Sequence, residues 1–128
     1  PTSVDGALHS DPVASEKWDK WEEALVTPGL KFEDGENYDE LIQRANGALK
    51  LLGERQEKTM TLVTHGYFLR TMMGVVLCGE HMTPEIQKRI QLHATTENTA
   101  ITVFIQDDRG DGLNWRLWSF NDYAHFAE

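Results

Sequence analysis

The chain has 128 residues, a length that suits one domain. It is 40% hydrophobic and 26% charged, and no apolar run approaches the ~20 residues of a membrane span, so the composition is that of an ordinary soluble globular chain. The formal charge is −9, with 11 acidic against 3 basic side chains in residues 1–40, which argues against a surface for nucleic acid or anionic lipid. A single cysteine, Cys78, excludes an intramolecular disulfide and a multi-cysteine zinc site. No secretory or transit signal opens the chain, and a cytoplasmic location is the default expectation.

Residues 1–10 are small and polar without a period. Asp11-Pro12 has the cap-then-proline order of a helix start. Trp18, Trp21 and Leu25 then fall at helical spacing, as a packing face or a substrate wall. Thr27-Pro28-Gly29 ends this helix, and residues 30–35 read as a loop. Residues 37–52 predict the clearest helix, with Tyr38, Leu41, Ile42, Ala45, Ala48, Leu49 and Leu52 on one face. Asn37 and Glu40 resemble a capping box at its start, and Gly53 stands where it should stop.

The β-branched, apolar run Thr59–Thr64 predicts a strand buried on both faces, the habit of a central parallel strand. It meets His65-Gly66 and turns at once into an apolar helix through Leu77, with Phe68, Leu69, Met72, Met73, Val75 and Val76 on its face. Cys78 in that helix reads as a buried, inert thiol. Such a turn places the His65 imidazole at a strand's carboxyl end and beside a helix N-terminus, where open α/β sheets bind ligands and anions are favoured. Thr83-Pro84-Glu85 opens a further helix to about Leu92. Residues 100–106 and 114–120 alternate as two strands around the turn cluster Asp107–Gly112, a hairpin. His81, His93 and His125 lack metal-ligand spacing, so no metal or other cofactor is expected.

At His65 the sequence resembles a known family. Leu62-Val63-Thr64-His65-Gly66-Tyr67-Phe68-Leu69-Arg70 is similar to the second histidine motif of the histidine phosphatase superfamily, the phosphoglycerate-mutase-like fold. Gly35-Glu36-Asn37 with Arg44 resembles its G-E-S and following arginine, Asn37 replacing the serine. Asn98-Thr99-Ala100-Ile101-Thr102 resembles its N-T-x-[IV]-T strand entry, and Asn121-Asp122 with His125-Phe126 its closing N-D-x-x-H-[LF] segment. The resemblance spans residues 33–126 and leaves 1–32 as an acidic N-terminal segment.

The resemblance implies an α/β fold: a three-layer sandwich with a mainly parallel sheet and a C-terminal strand hairpin. It implies phosphoryl hydrolysis or transfer through a phosphohistidine, with nucleophilic catalysis joined to electrostatic stabilisation and no metal. His65 would be the second, phosphate-stabilising histidine. From the residues themselves, Gly66 permits close backbone approach to the anion or simply makes a tight strand-to-helix turn, and Asn98 is a phosphate-binding or a turn residue; both are taken as phosphate-binding candidates. Arg70, one helical turn past His65, is expected in a structural ion pair, with phosphate contact as the alternative; Arg44 is likewise expected in a structural ion pair. The family's R-H-G motif, which supplies the nucleophile, occurs nowhere in the sequence. The expectation is therefore a partial domain over 1–128, the C-terminal half of the fold, inactive or nearly so alone. Its expected partners are a phosphorylated small molecule or phosphoprotein, and a homo-oligomer or a complementing N-terminal half. The alternative is a non-catalytic remnant that binds phosphate or a protein.

Overall fold

The computed structural model describes residues 1–8, 10–107 and 114–126. They fall into two compact units, Pro1–Gln43 and Arg44–Glu128.

In the first unit, a 3-10 turn at Thr2–Val4 packs on helix α1, Pro12–Ala24. Asp11 caps α1 as its sequence predicts, accepting the Val13 N–H at 2.9 Å, with Pro12 in the first turn. Val4, Ala14, Ala24, Leu25, Tyr38 and Leu41 are buried. Helix α2, Tyr38–Gly53, carries the predicted capping box: Glu40 N–H donates to Asn37 Oδ1 at 3.0 Å, and Asn37 N–H to Glu40 Oε2 at 3.1 Å. The unit boundary falls within α2.

The second unit is built on helix α3, Gly66–Cys78. It buries Phe68, Thr71, Met72, Met73, Gly74 and Val75, each large apolar side chain contributing about 1.5–3 kcal/mol. Gly79 ends it at φ 53°, and a 3-10 turn at Gly79–His81 leads on. Cys78 is half-buried, not enclosed as expected. Helix α4, Pro84–His93, packs against α3 and is capped by Thr83, whose Oγ1 accepts the Ile86 N–H at 3.3 Å. The Arg44 guanidinium lies 3.8 Å from the centroid of the Phe68 ring, a cation–π contact.

Strands β1, Ile101–Asp107, and β2, Asn114–Asp122, pair antiparallel. This is the predicted hairpin; its turn, 108–113, lies outside the described residues. Asp107↔Asn114 through Phe104↔Leu117 keep a constant register. It then slips twice, reaching Val103↔Ser119 and Ile101↔Asp122. The slips are bulges that twist and re-aim a strand end. At the other end Trp115 Nε1 donates to Leu49 O at 3.2 Å and Gln106 Nε2 to Gly53 O at 3.4 Å, tying the hairpin to α2.

The expected parallel sheet is a correction. Among the described residues the sheet has two strands, antiparallel, and Thr59–Thr64 belongs to neither. Nor is that segment buried: Val63 is 91% exposed and Leu62 51%. A β-branched run becomes a strand only where a neighbour offers backbone donors and acceptors, and no described strand flanks this one.

Candidate functional site

His65 is the N-cap of α3, with extended backbone at φ −101° and ψ 153°. Its carbonyl accepts the Leu69 N–H at 2.9 Å, which closes the first turn. The side chain makes no capping bond and is exposed. Among the described residues the imidazole has no hydrogen-bond or ion-pair partner. The ring is therefore not a satisfied core histidine; both nitrogens are open to a ligand.

Gly66 must be small. A Cβ there would collide with Thr96 Oγ1 and lie 3.2 Å from Arg70 Nη1. Helical side chains lean toward the N-terminus, so Arg70, one turn on, runs back beside Gly66. The structure thus gathers His65, Gly66, Arg70 and Thr96 at the start of α3.

Arg70 departs from expectation. It makes no ion pair among the described residues. Its Nε donates to Gln91 Oε1 and its Nη1 to Thr96 Oγ1, both at 2.8 Å. Both of these partners, one on α4 and one on the following loop, are neutral. Burial lowers its pKa, opposed by the neighbouring Tyr67, but an arginine keeps its charge.

Behind Arg70 lies a polar network in the α3–α4 seam. Gln91 Nε2 donates to Tyr67 O at 3.0 Å and to Thr71 Oγ1 at 3.2 Å. Thr71 Oγ1 also accepts from Gln87 Nε2 at 2.8 Å and donates to Tyr67 O at 3.1 Å. Thr71 and Gln87 are fully buried. Sequence reasoning missed Thr71, Gln87, Gln91 and Thr96. The available signal was one threonine on an apolar helix face and two glutamines four apart on the next helix.

Asn98 follows Thr96 in an irregular loop and is exposed, with no side-chain hydrogen bond among the described residues. No bond joins it to His65. Its carbonyl accepts the hydroxyl of Thr99, at 2.7 Å. Thr99 has φ 60°, a left-handed conformation that β-branched residues adopt only under constraint. The loop is held from both sides. Arg70 grips Thr96, and Asn121 Oδ1 accepts the Glu97 N–H at 2.7 Å. Asn121, itself at φ 56°, donates its N–H to Thr102 Oγ1 at 3.1 Å. The motifs quoted at 65–70, 98–102 and 121–122 are thereby stitched together.

In the first unit, Trp21 Nε1 donates to Glu36 O at 2.9 Å, and the Trp18 and Trp21 rings lie 5.1 Å apart. A Cβ at Gly35 would sit 2.7 Å from Trp21 Nε1, so the Gly35-Glu36 pair is fitted to this tryptophan. Both tryptophans line a cavity of about 450 Å³ with Val4, Asp34, Gly35 and Glu36. None of His65, Gly66 or Asn98 lines it. Its carboxylates suit an anion poorly, so the chemistry at His65 counts for more here than cavity size. Among the described residues no three His, Cys, Asp or Glu side chains converge as a metal site requires, and no helix is long and apolar enough to cross a membrane.

No curated protein and no solved structure matches the chain. The model of the histidine phosphatase superfamily (branch 1) matches residues 4–121, from the first 3-10 turn to the Asn121 that clasps the loop. The chain belongs to that superfamily.

Proposed function

We propose that this chain contributes the phosphate-gripping side of a phosphoryl-transfer site, with His65 stabilising the transferring group. Members of the superfamily are phosphatases or mutases. The observation that carries the reading is the exposed imidazole of His65 at the head of α3, unpartnered among the described residues, beside a glycine whose Cβ would collide with Thr96. A protonated imidazole there would donate to a non-bridging phosphoryl oxygen, with Gly66 and Asn98 as further contacts.

The phosphoryl group would pass to another histidine, the nucleophile of the R-H-G motif. Its ring nitrogen bonds to phosphorus as the ester oxygen leaves with a proton from a carboxylic acid, and water then cleaves the P–N bond. The 128 residues contain no R-H-G motif, so this nucleophile is assigned to a complementing segment of the same fold. Thr59–Thr64 supports that assignment: its apolar side chains are bare, and it leads directly into His65. A complementing strand paired there would bring a nucleophile against His65.

The test is reconstitution. The chain should have little or no turnover of p-nitrophenyl phosphate alone, and gain it with an N-terminal half bearing the R-H-G motif. An acid-labile phosphohistidine should form on the added half. Reconstituted protein that forms none defeats the enzyme reading. The exposure of Met60, Leu62 and Val63 also supports a second reading, a non-catalytic module whose exposed run recruits a partner chain. It expects a tight oligomer by light scattering, and a compact monomer counts against it.

A further inference from the structure

The charge of Arg70 has no counter-charge within the described residues, although it is half-buried. Such a cation is stable where neutral acceptors hold it and an anion completes it. A guanidinium has five N–H donors. Here one is used on Gln91 and one on Thr96. Both N–H bonds of Nη2 have no acceptor among the described residues. Thr96 is similarly half-spent. Its Oγ1 accepts from Arg70, which leaves its own proton to give, and it sits against Gly66.

We infer that Arg70 and Thr96 form a second anion-binding arm beside His65. In it the guanidinium supplies charge and a fork, and the hydroxyl, polarised by that guanidinium, supplies one further donor. The ligand class is a phosphomonoester or inorganic phosphate dianion, since a tetrahedral dianion can take an imidazolium and a guanidinium on different oxygens. The inference rests on the reading of His65 as phosphate-binding. It adds that Gly66 is small so that this arm can close up to the helix start.

The test is titration of the intact 128-residue chain with inorganic phosphate at pH 7, by calorimetry, with circular dichroism as the check of folding. Losing charge-assisted donors should weaken binding about tenfold or more in Arg70→Gln and about threefold in Thr96→Val. Arg70→Lys should fall between parent and Arg70→Gln, and Thr96→Ser should bind as the parent does. Arg55→Gln removes an equal charge from an exposed pair with Glu57 and should change nothing. Folded Arg70→Gln and Thr96→Val that both bind within about twofold of the parent overturn the inference, whatever their loss of stability. If they do so while His65→Gln abolishes binding, the arm fails and the reading of His65 stands. If the parent itself does not bind phosphate, both fail. Should Arg70→Gln not fold, Thr96→Val and Arg70→Lys decide.

Discussion

The two units are held by different chemistry. In Pro1–Gln43 many of the polar ties are carboxylates on the surface, beside the half-buried Trp21–Glu36 and Asn37–Glu40 bonds. Asp34 accepts from Thr2 N–H at 2.9 Å and from Thr2 Oγ1 at 2.8 Å; Ser3 Oγ donates to Glu33; Lys31 Nζ donates to Glu40 Oε1 at 2.7 Å. In Arg44–Glu128 the decisive ties are neutral amides and hydroxyls, buried or half-buried in the α3–α4 seam around one cation. Exposed charged ties are weak and sensitive to pH and salt. Buried neutral ties are insensitive to both and costly to break singly. The acidity concentrated in residues 1–40 therefore governs the conditions under which the first unit holds, while the second keeps its site geometry across them.

The comparison breaks most directly at Thr71. Thr71→Val keeps the shape but strips the acceptor from two glutamine amides. Each buried donor left unmade costs about 1–3 kcal/mol, so urea unfolding should show a loss of about 2–4 kcal/mol. A loss under about 0.5 kcal/mol, the ordinary scatter of surface changes, would show that the network is not structural.

Gly66→Ala should cost less, about 1–3 kcal/mol of overpacking, because Thr96 must move off the helix start. Its effect on phosphate binding should exceed that stability loss, and unchanged binding would argue against the tight fit at this position.

Acidification separates the units without mutation. Hydrogen bonds from Ser3, Thr2 and Lys31 hold the Glu33, Asp34 and Glu40 carboxyls below their ordinary values of 4.5, 3.8 and 4.5. A depressed carboxylate contributes stability that is fully present above its unfolded pKa and is lost as pH falls through the folded one. Amide exchange should therefore rise in residues 1–43 as pH drops below about 4, while α3 and α4 keep their protection. In the second unit Glu57 is also held down, by Arg55 on an exposed segment, so local change there is expected. Equal loss of protection in both units would remove the distinction. Asp34→Asn should flatten the response of the first unit.

The smallest effect belongs to Thr99. Replacing it by glycine releases a left-handed backbone but gives the unfolded chain more freedom, so the net change should stay within about 1 kcal/mol. A larger loss by thermal unfolding would mean that the Thr99 side chain holds the loop.

What could be read from residues alone follows the range of the interactions. The caps at Asp11, Asn37 and Thr83 were legible because each bond spans two or three residues. The apolar face of α3 and the alternation of the hairpin were legible for the same reason. Thr59–Thr64 was misread because its composition reports suitability for a sheet, whereas pairing needs a neighbour that the composition does not contain. The partner of Arg70 was misread because a carboxylate is the usual companion of a half-buried arginine. The actual companions, Gln91 and Thr96, lie 21 and 26 residues away, and glutamines at helical spacing look like a solvated face. The position of His65 was legible from the strand-like run and glycine around it; the loop that faces Gly66 was not.

The Gln91 side chain is read from both ends. Its oxygen takes a hydrogen from the guanidinium, and its nitrogen gives hydrogens to Tyr67 O and Thr71 Oγ1. Turning the amide over would oppose donor to donor at Arg70, so only one orientation fits. The two NH₂ protons of Gln91 are therefore a built-in gauge, with distinct and slowly exchanging resonances in a nitrogen–proton spectrum. Any pull on the guanidinium should displace those peaks before it disturbs a backbone amide of either helix.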